Sequence, residues 1–257
     1  MHGFASLGSG SKGNCLYLGT TQTKILIDAG LSARATKNRL AEIGVSLEEI
    51  SAILISHEHS DHIAGLKTLV QKYNLPILAN SQTANAIYKN QGICPQFKIF
   101  TTSERFTYKN IEVFPFSVTH DAIDPVGFTL SFDKIKLGIC TDCGFATSLI
   151  KHHLKQCHYL FVEANHDPNM VHACPRPPIY KQRVLGRSGH LSNEACGQLV
   201  KEVLHDDLKE VQLGHLSKEC NHPIKALEAL QQVLPPHVQL QVASQDEVGK
   251  RILFSTL

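Results

Sequence analysis

The chain has 257 residues, of which 42% are hydrophobic and 19% are charged. A chain of this length and apolar content can bury a core without disulfides, which excludes a disordered protein and a small disulfide-stapled scaffold. Its 25 Lys and Arg against 23 Asp and Glu give a formal net charge of +2, so charge alone does not indicate a nucleic-acid partner.

The first residues, MHGFASLGSGSKGN, lack the charged segment and apolar core of a signal peptide. No stretch approaches the roughly 18 uninterrupted apolar residues of a membrane span. We therefore expect a cytoplasmic protein without a membrane partner, whose eight cysteines are reduced. The unusual feature of the composition is its 15 histidines, because histidine is both the commonest metal ligand and a frequent acid–base group.

Short apolar runs alternate with helical patterns along the chain. Strands are predicted at residues 15–19, 24–28, 52–56, 77–79, 111–118, 126–132, 135–141, 159–163, 210–213, 238–243 and 251–254. Helices are predicted at residues 32–43, 63–73, 82–90, 146–156, 192–204 and 223–234. Residues 166–189 contain four prolines and no clear periodicity, so we expect an irregular loop there. The alternation indicates packed sheets covered by helices in one domain, residues 1–257.

The strongest motif is HEHSDH at residues 57–62, directly after one predicted strand and directly before a predicted helix. At the end of an extended strand, His57 and His59 point to the same side. The turn into the helix then lets Asp61 and His62 project together beside them. Such a set of donors suits two metal ions a few ångströms apart. The alternative is a histidine-rich surface turn that binds no metal, which the agreement of motif, strand and helix disfavours.

Together with further segments, this motif resembles the metallo-β-lactamase fold superfamily. The other matching segments are ILIDAG at 25–30, VTH at 118–120, CTD at 140–142 and LGHLS at 213–217. Five more segments resemble the YycJ-type (WalJ) subgroup: SGSKGN at 9–14, EANHD at 163–167, KQR at 181–183, GHLSN at 189–193 and SKE at 217–219. The resemblance implies an α/β fold, an αββα four-layer sandwich of two mixed β-sheets with helices on the outside.

The resemblance also implies seven metal ligands at one edge of the sandwich: His57, His59 and His120 on one ion, Asp61, His62 and His215 on the other, and Asp142 between them. His120, Asp142 and His215 each follow a predicted strand, where sheets present functional side chains. Asp28 is expected to orient a ligand histidine, and His166 to contact or buttress the site. Because the ligands include no thiolate, zinc, manganese and iron all suit them, and the affinity order favours zinc.

His190 competes with His215 for the seventh ligand position, because both occur in the sequence Gly-His-Leu-Ser. We predict His215 as the ligand because it directly follows a strand. His190 lies just before a predicted helix, where it could protonate a leaving oxygen or stabilise charge on a phosphoryl group. The alternative for His190 is a histidine that binds nothing. Asp61 is predicted to act in catalysis as well, by orienting the attacking hydroxide.

A basic segment directly precedes His190. Residues 169–193 contain no Asp or Glu, and their four cations are predicted to bind a polyanionic substrate: Arg176, Lys181, Arg183 and Arg187. The alternative is a solvated basic loop without a binding role, because charge alone does not distinguish the two.

The resemblance implies a metal-dependent hydrolase, and more narrowly a phosphodiesterase or exonuclease that cleaves nucleic acid, with DNA favoured over RNA. The corresponding mechanism is attack on phosphorus by a hydroxide that bridges two divalent metal ions. Three other functions remain open. A thioesterase of the glyoxalase II type would show no steep salt dependence on DNA. An iron-dependent oxidoreductase would be coloured or redox-active. A non-catalytic binding module would have no need to keep all seven ligands.

Overall fold

The fold is described from a computed structural model, which covers residues 2–254. The strands are β1 (Gly3–Gly8), β2 (Cys15–Gly19), β3 (Lys24–Ile27), β4 (Ala52–Leu54), β5 (Ile77–Asn80), β6 (Phe97–Phe100), β7 (Phe106–Tyr108), β8 (Ile111–Ser117), β9 (Val126–Phe132), β10 (Ile135–Cys140), β11 (Tyr159–Glu163), β12 (Glu210–Gly214), β13 (Gln239–Val242) and β14 (Ile252–Leu253). The helices are α1 (Ala33–Glu42), α2 (Ser60–Ile63), α3 (Leu66–Tyr73), α4 (Ser81–Gln91), α5 (Ser148–Leu154), α6 (Pro168–Ala173), α7 (Pro178–Leu185), α8 (Asn193–Val203) and α9 (Pro223–Gln231).

The strands of residues 2–254 form two mixed sheets of seven strands each. The first sheet has the order β14-β1-β2-β3-β4-β5-β6, and its pairs are antiparallel up to β3 and parallel from β3 to β6. The second has the order β13-β12-β11-β10-β9-β8-β7, parallel from β13 to β10 and antiparallel beyond. Parallel pairs need crossover connections, which most of the helices provide.

Three apolar clusters separate four layers. The inner faces of the two sheets pack together through side chains such as Phe4 and Ile27 of the first sheet and Leu137 and Phe161 of the second. The outer face of the first sheet packs against α1, α3 and α4. The outer face of the second packs against α5, α8 and α9. The predicted αββα sandwich is therefore confirmed. Among the helices described, none combines the length and apolarity needed to cross a bilayer.

Residues 166–189 are more regular than predicted. They contain α6 and α7, and each helix begins with a proline in its first turn, Pro168 and Pro178, where the missing N–H breaks no helical hydrogen bond. Asp167 caps α6 by accepting a hydrogen bond from the backbone N–H of Met170 at 2.9 Å. The prediction of an irregular loop was wrong. Prolines in a segment usually favour a loop over a helix, but in this segment two of them lie in the first turn of a helix.

The helix predicted at residues 63–73 begins only at Leu66, as α3, and the shorter helix α2 precedes it at Ser60–Ile63. At the break, a Cβ on Gly65 would lie 1.9 Å from the carbonyl oxygen of Leu31, so only glycine fits there. The N–H of Gly65 donates to the carbonyl oxygen of Ala29 at 2.8 Å. The break therefore ties the end of the HEHSDH motif to the loop after β3. Strands β1, β6 and β7 were not predicted, and β1 contains two glycines, which are depleted in strands.

Candidate metal centre

The candidate ligands, and Asp28, which was predicted to orient one of them, come from the ends of strands in both sheets. In the first sheet, Asp28 follows β3, and the HEHSDH motif that begins at His57 follows β4. In the second sheet, His120 follows β8, Asp142 follows β10 and His215 follows β12. The carboxyl ends of these strands meet at one edge of the sandwich, and the structure brings all seven predicted ligands together there.

These side chains form overlapping groups in which the donor atoms lie within 4.8 Å of one another. The groups are His57–His59–His120, His57–His62–Asp142, Asp61–His62–His215 and Asp142–Glu163–His190–His215. Asp142 joins the first group to the third, because Oδ1 lies 3.6 Å from Nε2 of His120 and Oδ2 lies 3.1 Å from Nε2 of His62. The carboxylate of Asp142 therefore lies between these two groups.

Asp28 holds the ring of His62. Nδ1 of His62 lies 2.8 Å from Oδ2 of Asp28, while Nε2 faces Asp61 and Asp142. Ser56 fixes the carboxylate in turn by donating its N–H and its hydroxyl to Oδ1 at 2.8 and 3.0 Å. When the ring is neutral with its proton on Nδ1, Nε2 is the free donor atom that a metal ion needs.

Glu163, at the end of β11, holds both histidines that compete for the seventh ligand position. Its Oε1 accepts hydrogen bonds from Nδ1 of His215 at 2.7 Å and from Nδ1 of His190 at 2.8 Å. Its Oε2 accepts from two backbone N–H groups at 3.0 Å. Of the two rings, His215 directs Nε2 towards Oδ2 of Asp61, at 3.4 Å. His190 lines the adjoining cavity and is 18% exposed.

Burial and mutual charge set the protonation of this centre. Burial and the neighbouring His62 lower the pKa of His57 well below its usual value. Burial also opposes the charged forms of His62 and His215, but nearby carboxylates, Asp142 foremost, raise the pKa of both rings. Burial would raise the pKa of Glu163, but His190 and His215 lower it to about 2. Protons on the histidines thus balance buried carboxylates, and divalent cations can supply the same charge.

Two buried atoms show that metal ions fit this centre. Nε2 of His57 is buried and has no hydrogen-bond partner among the described residues. Oδ2 of Asp142 lies close to His62 but is likewise without a hydrogen bond in that part of the chain. Buried polar atoms without partners are costly, and a cation would remove that cost. Imidazole nitrogens and carboxylate oxygens suit zinc, manganese and iron.

A cavity of about 210 Å³ opens onto the cluster. Its walls include five of the seven predicted ligands, together with His190. Helix α7 supplies another wall through Tyr180, Arg183 and Val184. The basic segment therefore reaches the cavity, but through one face of a helix rather than through a loop.

One of the four predicted substrate-binding residues lines the cavity. This residue is Arg183, whose Nε donates to Oδ2 of Asp121 at 2.6 Å. The other three have contacts outside the lining. Arg176 pairs with a glutamate, Lys181 donates to a backbone carbonyl, and the guanidinium of Arg187 lies 4.4 Å from the centroid of an aromatic ring. Carboxylates from distant parts of the chain thus neutralise two of the four cations in the basic segment, which contains no Asp or Glu itself.

His166 is buried next to the cavity rather than in its lining. Its backbone pairs with that of Ser192, close to His190, and its side chain is among the buried polar residues. Nδ1 has no hydrogen-bond partner within residues 2–254, and burial lowers the pKa of the ring to about 4. No hydrogen bond joins His166 to a predicted ligand in the described part of the chain.

Two residues of the centre were not predicted to act there, Glu163 and Asn14. Nδ2 of Asn14 lies 3.2 Å from Oδ2 of Asp61 and 3.0 Å from Nε2 of His62. The sequence did contain a signal for each. Glu163 is an acidic residue that ends an apolar strand, and Asn14 ends a glycine-rich loop between two strands.

The backbone is left-handed at three of the strand ends that supply the candidate metal centre. The φ angles of Asp28, Asp142 and His215 are 61°, 54° and 54°. A residue with a Cβ pays roughly 1–2 kcal/mol for this conformation, and such residues cluster at functional sites. The other positive-φ residues among those described, such as Asn74 and Asp133, lie outside the centre.

Residues 23–208 match the beta-lactamase superfamily domain. The chain therefore belongs to the metallo-β-lactamase fold superfamily. It is 38% identical to exodeoxyribonuclease YycJ of Bacillus anthracis over 233 aligned residues. The alignment covers 90% of this chain and 88% of that protein. It is 36% identical to exodeoxyribonuclease WalJ of Streptococcus pneumoniae over 222 aligned residues. This second alignment covers 85% of this chain and 82% of that protein.

The fold is similar to that of a solved structure as well. The metallo-beta-lactamase fold protein YhfI from Bacillus subtilis matches with a TM-score of 0.74 at 16% identity, over 96% of this chain and 98% of that one. The predicted family, its YycJ-type (WalJ) resemblance, the fold and the class of metal-dependent hydrolase are confirmed.

Proposed function

We propose that this protein is a metal-dependent exodeoxyribonuclease, which hydrolyses phosphodiester bonds from an end of DNA. The observation that carries the proposal is the joined cluster of imidazole and carboxylate donors on the wall of an open cavity. The extensive identity to exodeoxyribonucleases YycJ and WalJ supports DNA as the substrate.

The centre holds two divalent metal ions in this proposal. One position uses His57, His59 and His120, the other uses Asp61, His62 and His215, and Asp142 serves both. Zinc is the favoured ion, with manganese and iron as alternatives. When bound, such ions stabilise charge on phosphoryl oxygens and make a water nucleophilic at neutral pH. Asp28 and Glu163 keep the rings of His62 and His215 in the orientation that presents Nε2.

His190 gives a proton to the departing oxygen. Its ring lines the cavity, and Glu163 accepts the hydrogen bond from Nδ1, which leaves Nε2 to carry the transferable proton. Burial opposes the charged ring, but Glu163 outweighs it and raises the pKa of His190 above its usual value. A raised pKa favours the protonated form that a general acid requires near neutral pH. Asp61, which also reaches the cavity, orients the attacking water as a hydrogen-bond acceptor.

The basic segment binds the DNA backbone. Arg183 lines the cavity, so it exchanges its contact with Asp121 for a phosphate next to the scissile bond. Arg176, Lys181 and Arg187 belong to the same segment but lie outside the cavity lining, and they contact phosphates farther along the strand. Such contacts position a nucleic acid without selecting its sequence.

The test is hydrolysis of end-labelled single- and double-stranded DNA and RNA by protein of known metal content, across a series of salt concentrations. We expect DNA to be shortened from one end, with activity lost in EDTA and restored by zinc or manganese. His57→Ala should abolish this activity. If protein with two bound metal ions cleaves no nucleic acid, the proposal is wrong. Small phosphodiesters and thioesters would then be the substrates to test.

A further inference from the structure

The loop between β1 and β2 lies against one half of the metal centre. Asn14, the last residue of this loop, is 4% exposed, and its Nδ2 lies within 3.2 Å of both Asp61 and His62. The backbone N–H of Asn14 also donates to the carbonyl oxygen of Asp61 at 2.7 Å. Asn14 therefore contacts Asp61 through its backbone and through its side chain.

Hydrogen bonds within the loop fix which end of the amide faces the centre. Oδ1 of Asn14 accepts from the hydroxyl of Ser9 at 3.1 Å and from the N–H of Gly10 at 2.9 Å. With two donors on Oδ1, the NH₂ group is the end that faces Asp61 and His62. One of its hydrogens is directed at the carbonyl oxygen of Gly10, at 3.2 Å, which leaves the other for the centre.

The same loop reaches the third member of this half of the centre. The hydroxyl oxygen of Ser9 accepts a hydrogen bond from the backbone N–H of His215 at 2.8 Å. Ser9 and Asn14 thus connect Asp61, His62 and His215, which form one of the groups able to hold an ion. Among the hydrogen bonds of the described residues, none joins this loop to the other group, His57, His59 and His120.

The opposite side of the loop is anchored to the C-terminal part of the chain. Oε1 of Gln245 accepts from the N–H of Lys12 at 2.7 Å, and Nε2 donates to the carbonyl oxygen of Gly13 at 3.0 Å. A Cβ on Gly30 would lie 2.6 Å from the backbone nitrogen of Asn14 and 1.7 Å from the carbonyl oxygen of Asp61. The close approach of Asn14 to Asp61 therefore depends on a glycine at position 30.

We propose that Asn14 is a positioning residue for one of the two metal positions, the one formed by Asp61, His62 and His215. Its NH₂ group holds Oδ2 of Asp61 next to Nε2 of His62, and Ser9 links this arrangement to His215. The inference rests on the metal assignment of the proposed function. It adds that the two positions are supported by different parts of the chain, so one can be weakened without the other.

The experiment titrates metal-free protein with cobalt(II), whose visible absorption reports the ligands of each bound ion. We expect wild-type protein to bind two equivalents. In Asn14→Ala, one equivalent should keep its wild-type affinity, and the other should bind about 10- to 100-fold more weakly. The absorption spectrum of the tight equivalent should match that of His215→Ala, which empties the same position. It should differ from that of His59→Ala, which empties the other.

Asn80→Ala is the matched control, because Asn80 is also buried and its side chain makes hydrogen bonds to Thr83, Thr102 and Asp124. This variant should lose stability but bind both equivalents with wild-type affinity. If Asn14→Ala fails to fold, Ser9→Ala removes one hydrogen bond from the same amide and one from the backbone N–H of His215, and it should weaken the same equivalent.

Two outcomes would overturn this inference alone. In the first, Asn14→Ala binds both cobalt equivalents with wild-type affinity. In the second, the spectrum of the tight equivalent in Asn14→Ala matches that of His59→Ala. A wild-type protein that binds no metal would overturn the proposed function, and this inference with it. Since the readout is metal binding, failure to cleave DNA has no influence on the result.

Discussion

His215 donates from Nδ1 to Oε1 of Glu163 at 2.7 Å, and both side chains are buried. The same carboxylate oxygen accepts from Nδ1 of His190 at 2.8 Å. One buried carboxylate thus orients a proposed metal ligand and a proposed general acid together. A change at Glu163 should therefore affect metal binding and proton transfer at once, whereas a change at either ring should affect one of them.

Glu163→Gln should weaken metal binding about 10- to 100-fold and also slow cleavage at saturating metal. The neutral amide removes the charge that holds the two rings, and its oxygen is a weaker acceptor than a carboxylate. Metal affinity and kcat measured on the same preparation test this. Glu210→Gln is the control, because Glu210 is a buried carboxylate at the start of β12, the end that lies away from the metal centre. Equal effects of the two substitutions would contradict the role of Glu163.

His190→Ala and His215→Ala should separate the two histidines. His190→Ala should lower kcat by about 10²- to 10⁴-fold, the range typical of general acid catalysis, while both metal equivalents remain. His215→Ala should lose one equivalent. Elemental analysis of the purified variants, together with single-turnover cleavage, distinguishes them. Loss of a metal equivalent in His190→Ala would show that the seventh ligand has been assigned to the wrong histidine.

Arg183→Ala should weaken DNA binding about tenfold, the loss expected for one charge-assisted contact. It should also reduce the slope of log K against log salt by about one, because one fewer phosphate is neutralised. Arg176→Ala should change both quantities less, since Arg176 pairs with Glu219 outside the cavity lining. Binding is measured without metal, so that no cleavage occurs. An Arg176 variant that binds more weakly than the Arg183 variant would reverse this order.

Protonation of His166 should make the metal-free protein less stable in acid. Burial lowers the pKa of this ring to about 4 in the folded protein, against about 6.5 when unfolded. Between these values the unfolded chain binds more protons, so the free energy of unfolding rises with pH. His166→Asn should reduce that rise by up to ~1.4 kcal/mol per pH unit between pH 4 and 6.5.

Urea denaturation at several pH values within this window measures the slope. His237→Asn, a substitution on the exposed surface, serves as the control and should leave the slope unchanged. A slope that is the same in His166→Asn and in the wild type would show that His166 is not held neutral by the fold.

The centre could be predicted from the sequence where its residues are contiguous or follow a clear strand. The HEHSDH motif contains four predicted ligands between a strand and a helix, so local patterns locate them together. His120, Asp142 and His215 each end an apolar run, and the structure brings all three to the same edge. The strands β2, β9 and β11 were predicted with their exact bounds, because each is a buried run between clear turn signals.

Contacts between distant parts of the chain could not be predicted in the same way. The roles of Asn14 and Glu163 depend on side chains that are 27 to 52 residues away in sequence. The pairing of Arg183 with Asp121 spans 62 residues, so a segment without carboxylates is partly neutralised by a loop from elsewhere. Helices α6 and α7 were missed for another reason. Proline disrupts the interior of a helix but is favoured in its first turn, so the prolines of this segment do not by themselves indicate whether a helix is present.

The left-handed backbone at Asp28, Asp142 and His215 has a consequence for engineering this protein. Glycine at any of these positions would relieve roughly 1–2 kcal/mol of conformational energy and remove a side chain of the proposed metal centre in the same step. A library selected for thermal stability alone would therefore enrich variants that fold well and have no activity. Stabilising this chain requires substitutions elsewhere, with turnover screened in every round.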